Sequence, residues 1–279
     1  MSFQVNSFSK TFSSVEYSRP NGQSLLLDAS VPDGPGPFPA AIIVHGGAWV
    51  TGDRKVSVQP LLAPVSEAGI ATFSISYRLA NAADANSIAS AIMSAAVVNS
   101  AVEDVRQSIA FVREQAAEYN VDPARVALIG ESAGAQLASM AALKPGAAAP
   151  VQAVVALYSP SDLGSIVRNS PRIPASVRAQ FKGTPFETML MNVLRELSPI
   201  AWVHPNAPPF LLIHGTNDPV VPFQQSVDMC KTLRESEVSC ELITVEGGGH
   251  GMRWWEGSPA QMAYKSTMAG WLRKRLSVP

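Results

Sequence analysis

Apolar residues in this chain fall in short unbroken runs, separated by longer segments in which apolar and polar positions recur with helical spacing. The runs AAIIVHGG, GIATFSISY, RVALIG, VQAVVALY, PPFLLIHG and CELITVEG are continuous rather than alternating. That is the pattern of parallel strands covered on both faces. Ahead of them, SVEYSRP and SLLLDASVP flank the turn residues NGQ and predict an early β-hairpin. GPGPFP is a stiff turn into the first of the buried runs. Between the runs lie helical patterns, clearest in AVEDVRQSIAFVREQAAEY, SAGAQLASMAALK, FQQSVDMCKTLRES and AQMAYKSTMAGWLRKRL. Alternation of strand and helix predicts an α/β architecture: a mostly parallel, doubly wound sheet of about eight strands, flanked by helices and joined by right-handed crossovers.

Two stretches exceed a plain crossover. Residues 80–100 are rich in alanine and serine, and residues 163–203 separate two strands on the side where ligands bind in such sheets. The second is a candidate small lid. No composition break marks a linker, so residues 1–279 read as a single domain.

Charge and composition then remove whole classes of function. A formal net charge of −1 leaves no electrostatic footprint for nucleic acid, and no basic run suits an anionic membrane surface. No apolar stretch is long enough to span a bilayer. The opening MSFQVNSFSKTF lacks the apolar centre of a signal peptide, which favours a cytoplasmic location. Two cysteines, Cys230 and Cys240, make no disulfide framework and no metal-ligand set. The plainer expectation is two separate thiols, one on a helix and one on the next strand. A disulfide is the alternative, since those elements are neighbours. Neither a metal site nor a cofactor is expected.

The chemistry centres on LIGESAGAQLA, residues 128–138. A buried strand ends at Gly130, Ser132 occupies a sharp turn, and a helix begins at once. Such a turn leaves no room for side chains two positions either side of the serine, and Gly130 and Gly134 supply that room. Gly-x-Ser-x-Gly between strand and helix is the nucleophile elbow. A serine hydroxyl still needs a base. Of four histidines, His45, His204, His214 and His250, the last lies in GGGHG after the final strand, where an imidazole reaches the carboxyl edge of the sheet. The base needs a carboxylate to hold its tautomer. Asp218 in HGTNDPVVP follows a strand at that edge, and the order Ser132, Asp218, His250 is the one expected for this architecture. Asp162 in SPSDL is the rival acid, read as a residue leading into the lid, and Asp228 falls within a helix. Acyl transfer also needs N–H donors for an oxyanion. HGGAW places Gly46 and Gly47 just after a central strand, and with Ala133 they form the expected oxyanion hole.

With these motifs in order, the chain resembles the α/β-hydrolase superfamily, and within it the small esterases with a His-Gly-Gly-x-Trp motif. HGGAW, YRLA, GESAG, PPFLLIHGTNDPVVPFQQS and GGGHG carry the resemblance across nearly the whole sequence. It is similar to bacterial feruloyl/acetyl-xylan-type carboxylesterases, and to the hormone-sensitive-lipase-like group through its elbow. The resemblance implies an α/β-hydrolase fold and a cofactor-free serine carboxylesterase using Ser132, His250 and Asp218. Two departures stand out. Few residues precede His45, so the large N-terminal cap of the hormone-sensitive-lipase-like group is not expected. The segment after YRLA is longer than usual and lacks the Phe-Pro common in feruloyl-type enzymes.

Trp49, Glu131 and Trp254 are the candidate substrate-binding residues, Trp49 and Trp254 because they flank the oxyanion loop and His250. Packing at loop ends is the competing role for the tryptophans, Trp255 included, and the competing roles for Glu131 are a hydrogen bond within the elbow or plain exposure to solvent. The expected partner is a small-molecule ester, of short acyl chain, such as an acetylated sugar or a phenolic ester. An arylformamidase or other amidase would use the same triad. A catalytically silent hydrolase fold used for binding is the rival from another class, against which every triad and oxyanion position is occupied.

Overall fold

In a computed structural model of the chain, residues 10–80, 88–146, 150–169, 176, 179–180 and 182–277 are described. Eight strands run β1 (Lys10–Ser18), β2 (Leu25–Val31), β3 (Phe38–Val44), β4 (Ala71–Ile75), β5 (Val121–Glu131), β6 (Ala153–Leu157), β7 (Phe210–Gly215) and β8 (Cys240–Val245). They form one sheet in the order β1-β2-β4-β3-β5-β6-β7-β8. β1 pairs antiparallel with β2, and β2 with β4; every other pairing is parallel. All six strands from β3 through β8 in that parallel block therefore end at one edge, and the loops that follow them meet there.

Strand β3 shows why the central runs are continuously apolar. Ala40, Ile42 and Val44 point into one core, Ala41 and Ile43 into the other. The first core is closed by α2 (Ile88–Glu114), α3 (Ala133–Leu143) and α6 (Gln224–Glu235), through residues such as Val105, Leu137 and Leu233. The second is closed by α1 (Gln59–Glu67) and α8 (Tyr264–Leu276), through Leu61, Val65, Met268 and Leu272. Each core-facing Val, Leu or Ile buried this way contributes about 1.5–3 kcal/mol. α1 carries Pro60 near its start and Pro64 inside, which hides it from a search for uninterrupted helical spacing.

Strand order reverses between β3 and β5: the chain steps from β3 to β4 on one side, then returns past β3 to β5. A crevice opens at the carboxyl edge where such a reversal occurs. The loop after β3 and the turn after β5 flank it.

Of the stretch at 80–100, residues 81–87 lie outside the described residues. From Ile88 on it is the first part of α2, so the alanine-rich segment extends a crossover helix. The YRLA motif holds this region in place. Arg78 forks onto Asp104 of α2, a carboxylate with no exposed surface, and the two approach to 2.6 Å. Within 163–203, α4 (Leu163–Asn169) and α5 (Pro185–Glu196) are helical, and parts of the segment between them lie outside the described residues. Thr184 caps α5 by accepting from the Glu187 N–H. α7 (Pro259–Met262) is a single short turn before α8.

Cys230 of α6 and Cys240 of β8 are joined by a disulfide, their Cα atoms 5.5 Å apart. The expectation of two separate thiols is thus corrected: α6 packs directly on β8 and brings both into the same core. Unreduced protein, unfolded in denaturant, is expected to give no thiol by colorimetric titration, and two per chain after reduction. Two thiols before reduction would contradict the bridge.

Candidate active site

The turn after β5 puts Ser132 at φ 51°, ψ −119°, a conformation that costs a non-glycine residue about 1–3 kcal/mol and is held by its surroundings. The surroundings are tight. A Cβ on Gly130 would come within 2.3 Å of the Gly134 carbonyl oxygen. One on Gly134 would lie 2.2 Å from the Val44 oxygen and 2.3 Å from the His45 oxygen. The start of α3 therefore passes against the end of β3, and only glycine fits. The Ser132 N–H donates to the Leu157 carbonyl, 2.9 Å away, pinning the turn to β6.

Ser132 Oγ lies 3.0 Å from His250 Nε2, and His250 Nδ1 lies 2.7 Å from Asp218 Oδ2. The carboxylate accepts at Nδ1, so the imidazole proton sits there and Nε2 faces the serine as an acceptor. Asp218 has no exposed side-chain surface, while His250 keeps a fifth of its own. Burial works to raise the Asp218 pKa, but hydrogen bonds from His214, His250 and the N–H groups of Val220 and Val221 outweigh it and hold the carboxyl well below the usual range. Because β7 and β8 are adjacent, the loops carrying Asp218 and His250 meet. Residues separated in sequence are brought together by the parallel order alone.

The loop after β3 closes the other side. Gly47 has φ 119°, and a Cβ there would strike the Thr51 oxygen at 2.0 Å, so the turn requires glycine. Gly46 sits against the elbow: a Cβ on it would be 3.2 Å from Ser132 Cβ. Its N–H, however, donates to Glu131 Oε1 at 3.0 Å. The expected oxyanion donor at Gly46 is therefore already engaged. Among the described residues the N–H groups of Gly47, Ala48 and Ala133 donate to no other group, and Ala48 was not expected from sequence.

Two of the expected substrate contacts have partners within the protein. Glu131 is buried and both its oxygens are taken, one by the Gly46 N–H and the other by the Tyr158 hydroxyl. It clamps the oxyanion loop to the elbow. Trp49 donates its indole N–H to Gln136 of α3 at 3.0 Å, and Gln136 in turn donates to the Leu197 carbonyl. It packs against the core as an anchor for the loop. Trp254 differs: it is 59% exposed and lies alongside Gly249 and Gly251, next to His250, with Arg253 stacked near its ring. Trp255 is fully buried and donates to the Gly249 carbonyl. Tyr158, missed in the sequence because it ends a plain apolar run, meets His250 edge-on at 4.9 Å.

The remaining candidates fall elsewhere. Asp162 accepts from the Ser165 N–H at 2.8 Å and so caps the start of α4 rather than facing His250. Asp228 bonds Gln224 within α6. His45 is buried, stacks on Tyr77 and bonds the Gly46 carbonyl, and burial lowers its pKa. No group of three or more metal-ligating side chains occurs among the described residues.

The chain matches the BD-FAE family over residues 27–233, and residues 195–273 match a TAP-like protein family. In Mycobacterium tuberculosis it is similar to esterase LipQ, 32% identical over 235 residues, covering 78% of this chain and 51% of that protein. It is similar there also to the probable carboxylic ester hydrolase LipM, 30% identical over 232 residues, covering 79% and 50%. The chain spans about half the length of these curated relatives. Among solved structures, the truncated form of a carbohydrate esterase from gut microbiota superposes with a TM-score of 0.77 at 25% identity, over 98% of both chains. The apo form of esterase 2 from Thermogutta terrifontis shares the fold, with a TM-score of 0.71 at 22% identity over 95% and 96%. With a sheet of this order, an elbow serine at its reversal and a family match across most of its length, the chain belongs to the BD-FAE family and has the α/β-hydrolase fold.

Proposed function

We propose that this protein is a serine carboxylesterase that hydrolyses short-chain esters through an acyl-enzyme. The observation that carries the reading is the unbroken line from Ser132 Oγ through His250 to Asp218, at 3.0 and 2.7 Å, beside a loop with unengaged N–H groups. Ser132 attacks the ester carbonyl as His250 Nε2 takes its proton. The oxyanion is met by N–H groups of Gly47 and Ala133, with Ala48 beside them. Collapse returns the proton from His250 to the departing alcohol, and water repeats the sequence on the acyl-enzyme. Asp218 stays ionised throughout and holds the imidazole.

The acyl preference rests on how little protein is packed above the sheet edge among the described residues. Among the described residues α4 and α5 follow β6 there, and no side chain of α5 is fully buried. A loosely seated helix makes a poor wall for a long chain. Each methylene buried against a wall would contribute about 0.8 kcal/mol, a gain that disappears without one. Across p-nitrophenyl esters of two to sixteen carbons, measured below their micelle concentrations, kcat/KM is expected to peak between acetyl and butyryl and fall beyond roughly six to eight carbons. A maximum at ten carbons or longer would mean that residues 163–203 form an acyl tunnel. On the alcohol side, exposed Trp254 offers a flat aromatic surface, suited to the ring of a sugar or a phenol. The similarity to a carbohydrate esterase supports the sugar. The disulfide weighs toward an oxidising compartment rather than the cytoplasm.

A further inference from the structure

A histidine ends the aliphatic run of β7, where Phe210 through Ile213 are all buried apolar residues. His214 is itself fully buried, set edge-on to Phe223 at 5.7 Å. Its Nε2 lies 3.0 Å from the Val221 carbonyl and 3.3 Å from Asp218 Oδ2. Both are acceptors, so Nε2 carries the proton. Its Nδ1 lies 2.7 Å from Ser226 Oγ on α6 and accepts from that hydroxyl. A histidine that merely filled space would be indifferent to which nitrogen faced the carboxylate. Here the Val221 carbonyl and the Asp218 carboxylate require the Nε2–H tautomer, and the Ser226 hydroxyl donates to the bare Nδ1 and anchors the ring.

The consequence is at Asp218. Oδ1 accepts from the N–H groups of Val220 and Val221, at 2.8 and 2.9 Å. Oδ2 receives two imidazoles, His250 at 2.7 Å and His214 at 3.3 Å. Oδ1 is thus held by two donors and Oδ2 by His250, while the single Nε2 proton of His214 is shared between the Val221 carbonyl and Oδ2; together they stop the carboxylate from turning about its own axis and draw off part of its charge. We infer that His214 is a positioning residue for the reaction: through Asp218 it fixes the orientation of His250 and tempers how strongly the carboxylate favours a protonated imidazole. This rests on the reading of Ser132, His250 and Asp218 as a proton relay. Other groups facing the relay are Tyr158, edge-on to His250, and Glu131 behind it, and the substitutions below change neither.

Two conservative variants separate this role from simple packing. In His214→Gln the amide nitrogen reaches the place of Nε2 and still donates to Asp218. In His214→Asn it reaches only the place of Nδ1, toward Ser226. Both lose the ring and are expected to lose similar thermal stability. Per active site, titrated with a phosphonate probe, His214→Asn is expected to lower kcat about tenfold with KM unchanged. Its acid limb of kcat/KM moves up by about half a pH unit, because a carboxylate with one donor fewer favours the charged imidazole more. His214→Gln stays within about twofold of wild type in both. Ser226→Ala, a smaller change that removes the hydrogen bond anchoring the His214 ring at Nδ1, moves kcat and the limb in the same direction by less. If His214→Asn matches wild type in kcat and limb, or if His214→Gln does no better than His214→Asn, the inference is overturned. Ser132→Ala run alongside separates the two levels. An active Ser132→Ala removes the esterase reading itself, whereas an inactive one beside unaffected His214 variants removes only the role given to His214.

Discussion

Ser132→Ala is expected to lower kcat on an activated ester such as p-nitrophenyl acetate by about six orders of magnitude, the loss typical when the nucleophile of a serine triad is removed. Alanine keeps the Cβ and shares serine's cost at φ 51°, so the elbow has no reason to rearrange. The thermal midpoint should stay within a degree or two of wild type, and labelling by an active-serine phosphonate should vanish. A variant that retains near-wild-type turnover would remove the acyl-enzyme from the mechanism.

The second large effect belongs to Asp218→Asn, for which kcat should fall by about 10⁴ as the imidazole loses control of its tautomer. Four donors converge on the two oxygens of Asp218, and an amide offers one oxygen and one NH₂. Whichever way it turns, a donor meets a donor. Stability follows the same logic with a definite sign. A carboxyl held below its unfolded value stabilises the fold fully above that value, about 3.9 for an aspartate, and loses the contribution as pH falls toward its folded value. The gap in stability between wild type and Asp218→Asn should therefore be widest at neutral pH and narrow below about pH 4. Asp162→Asn is the control. Asparagine caps a helix nearly as well as aspartate, so kcat should stay within about threefold. The reverse ranking in kcat would move the acid to Asp162.

The glycines of the elbow show why the site is so readable in this family. Gly130 is required by a backbone contact within a few residues and Gly134 by the end of the neighbouring strand β3, contacts that follow from presenting a serine on such a turn. A required glycine leaves a mark in the sequence. Glu131 and Trp49 leave none, because whether a side chain faces substrate or a neighbouring backbone depends on which elements the sheet order sets beside it. The N–H that Glu131 takes comes from a loop 85 positions earlier in the chain. Cys230 and Cys240 are of the same kind: close in sequence, but paired only because α6 lies directly on β8.

By itself the sequence determined the local and the periodic: the continuous apolar runs of a sheet covered on both faces, the elbow at Ser132, the glycine loop after β3, and the order in which Ser132, Asp218 and His250 follow their strands. These are properties of a few adjacent residues acting through sterics and side-chain period, and they survive being read one segment at a time. Tertiary structure alone decided which donor was spent and which was free, so that Gly46 serves Glu131 while Gly47, Ala48 and Ala133 remain. It also set His214 behind Asp218, a partnership invisible in a run of residues that reads as one more buried strand. A hydrogen bond has a direction and a reach of about 3 Å, and neither exists until distant segments have been packed into place.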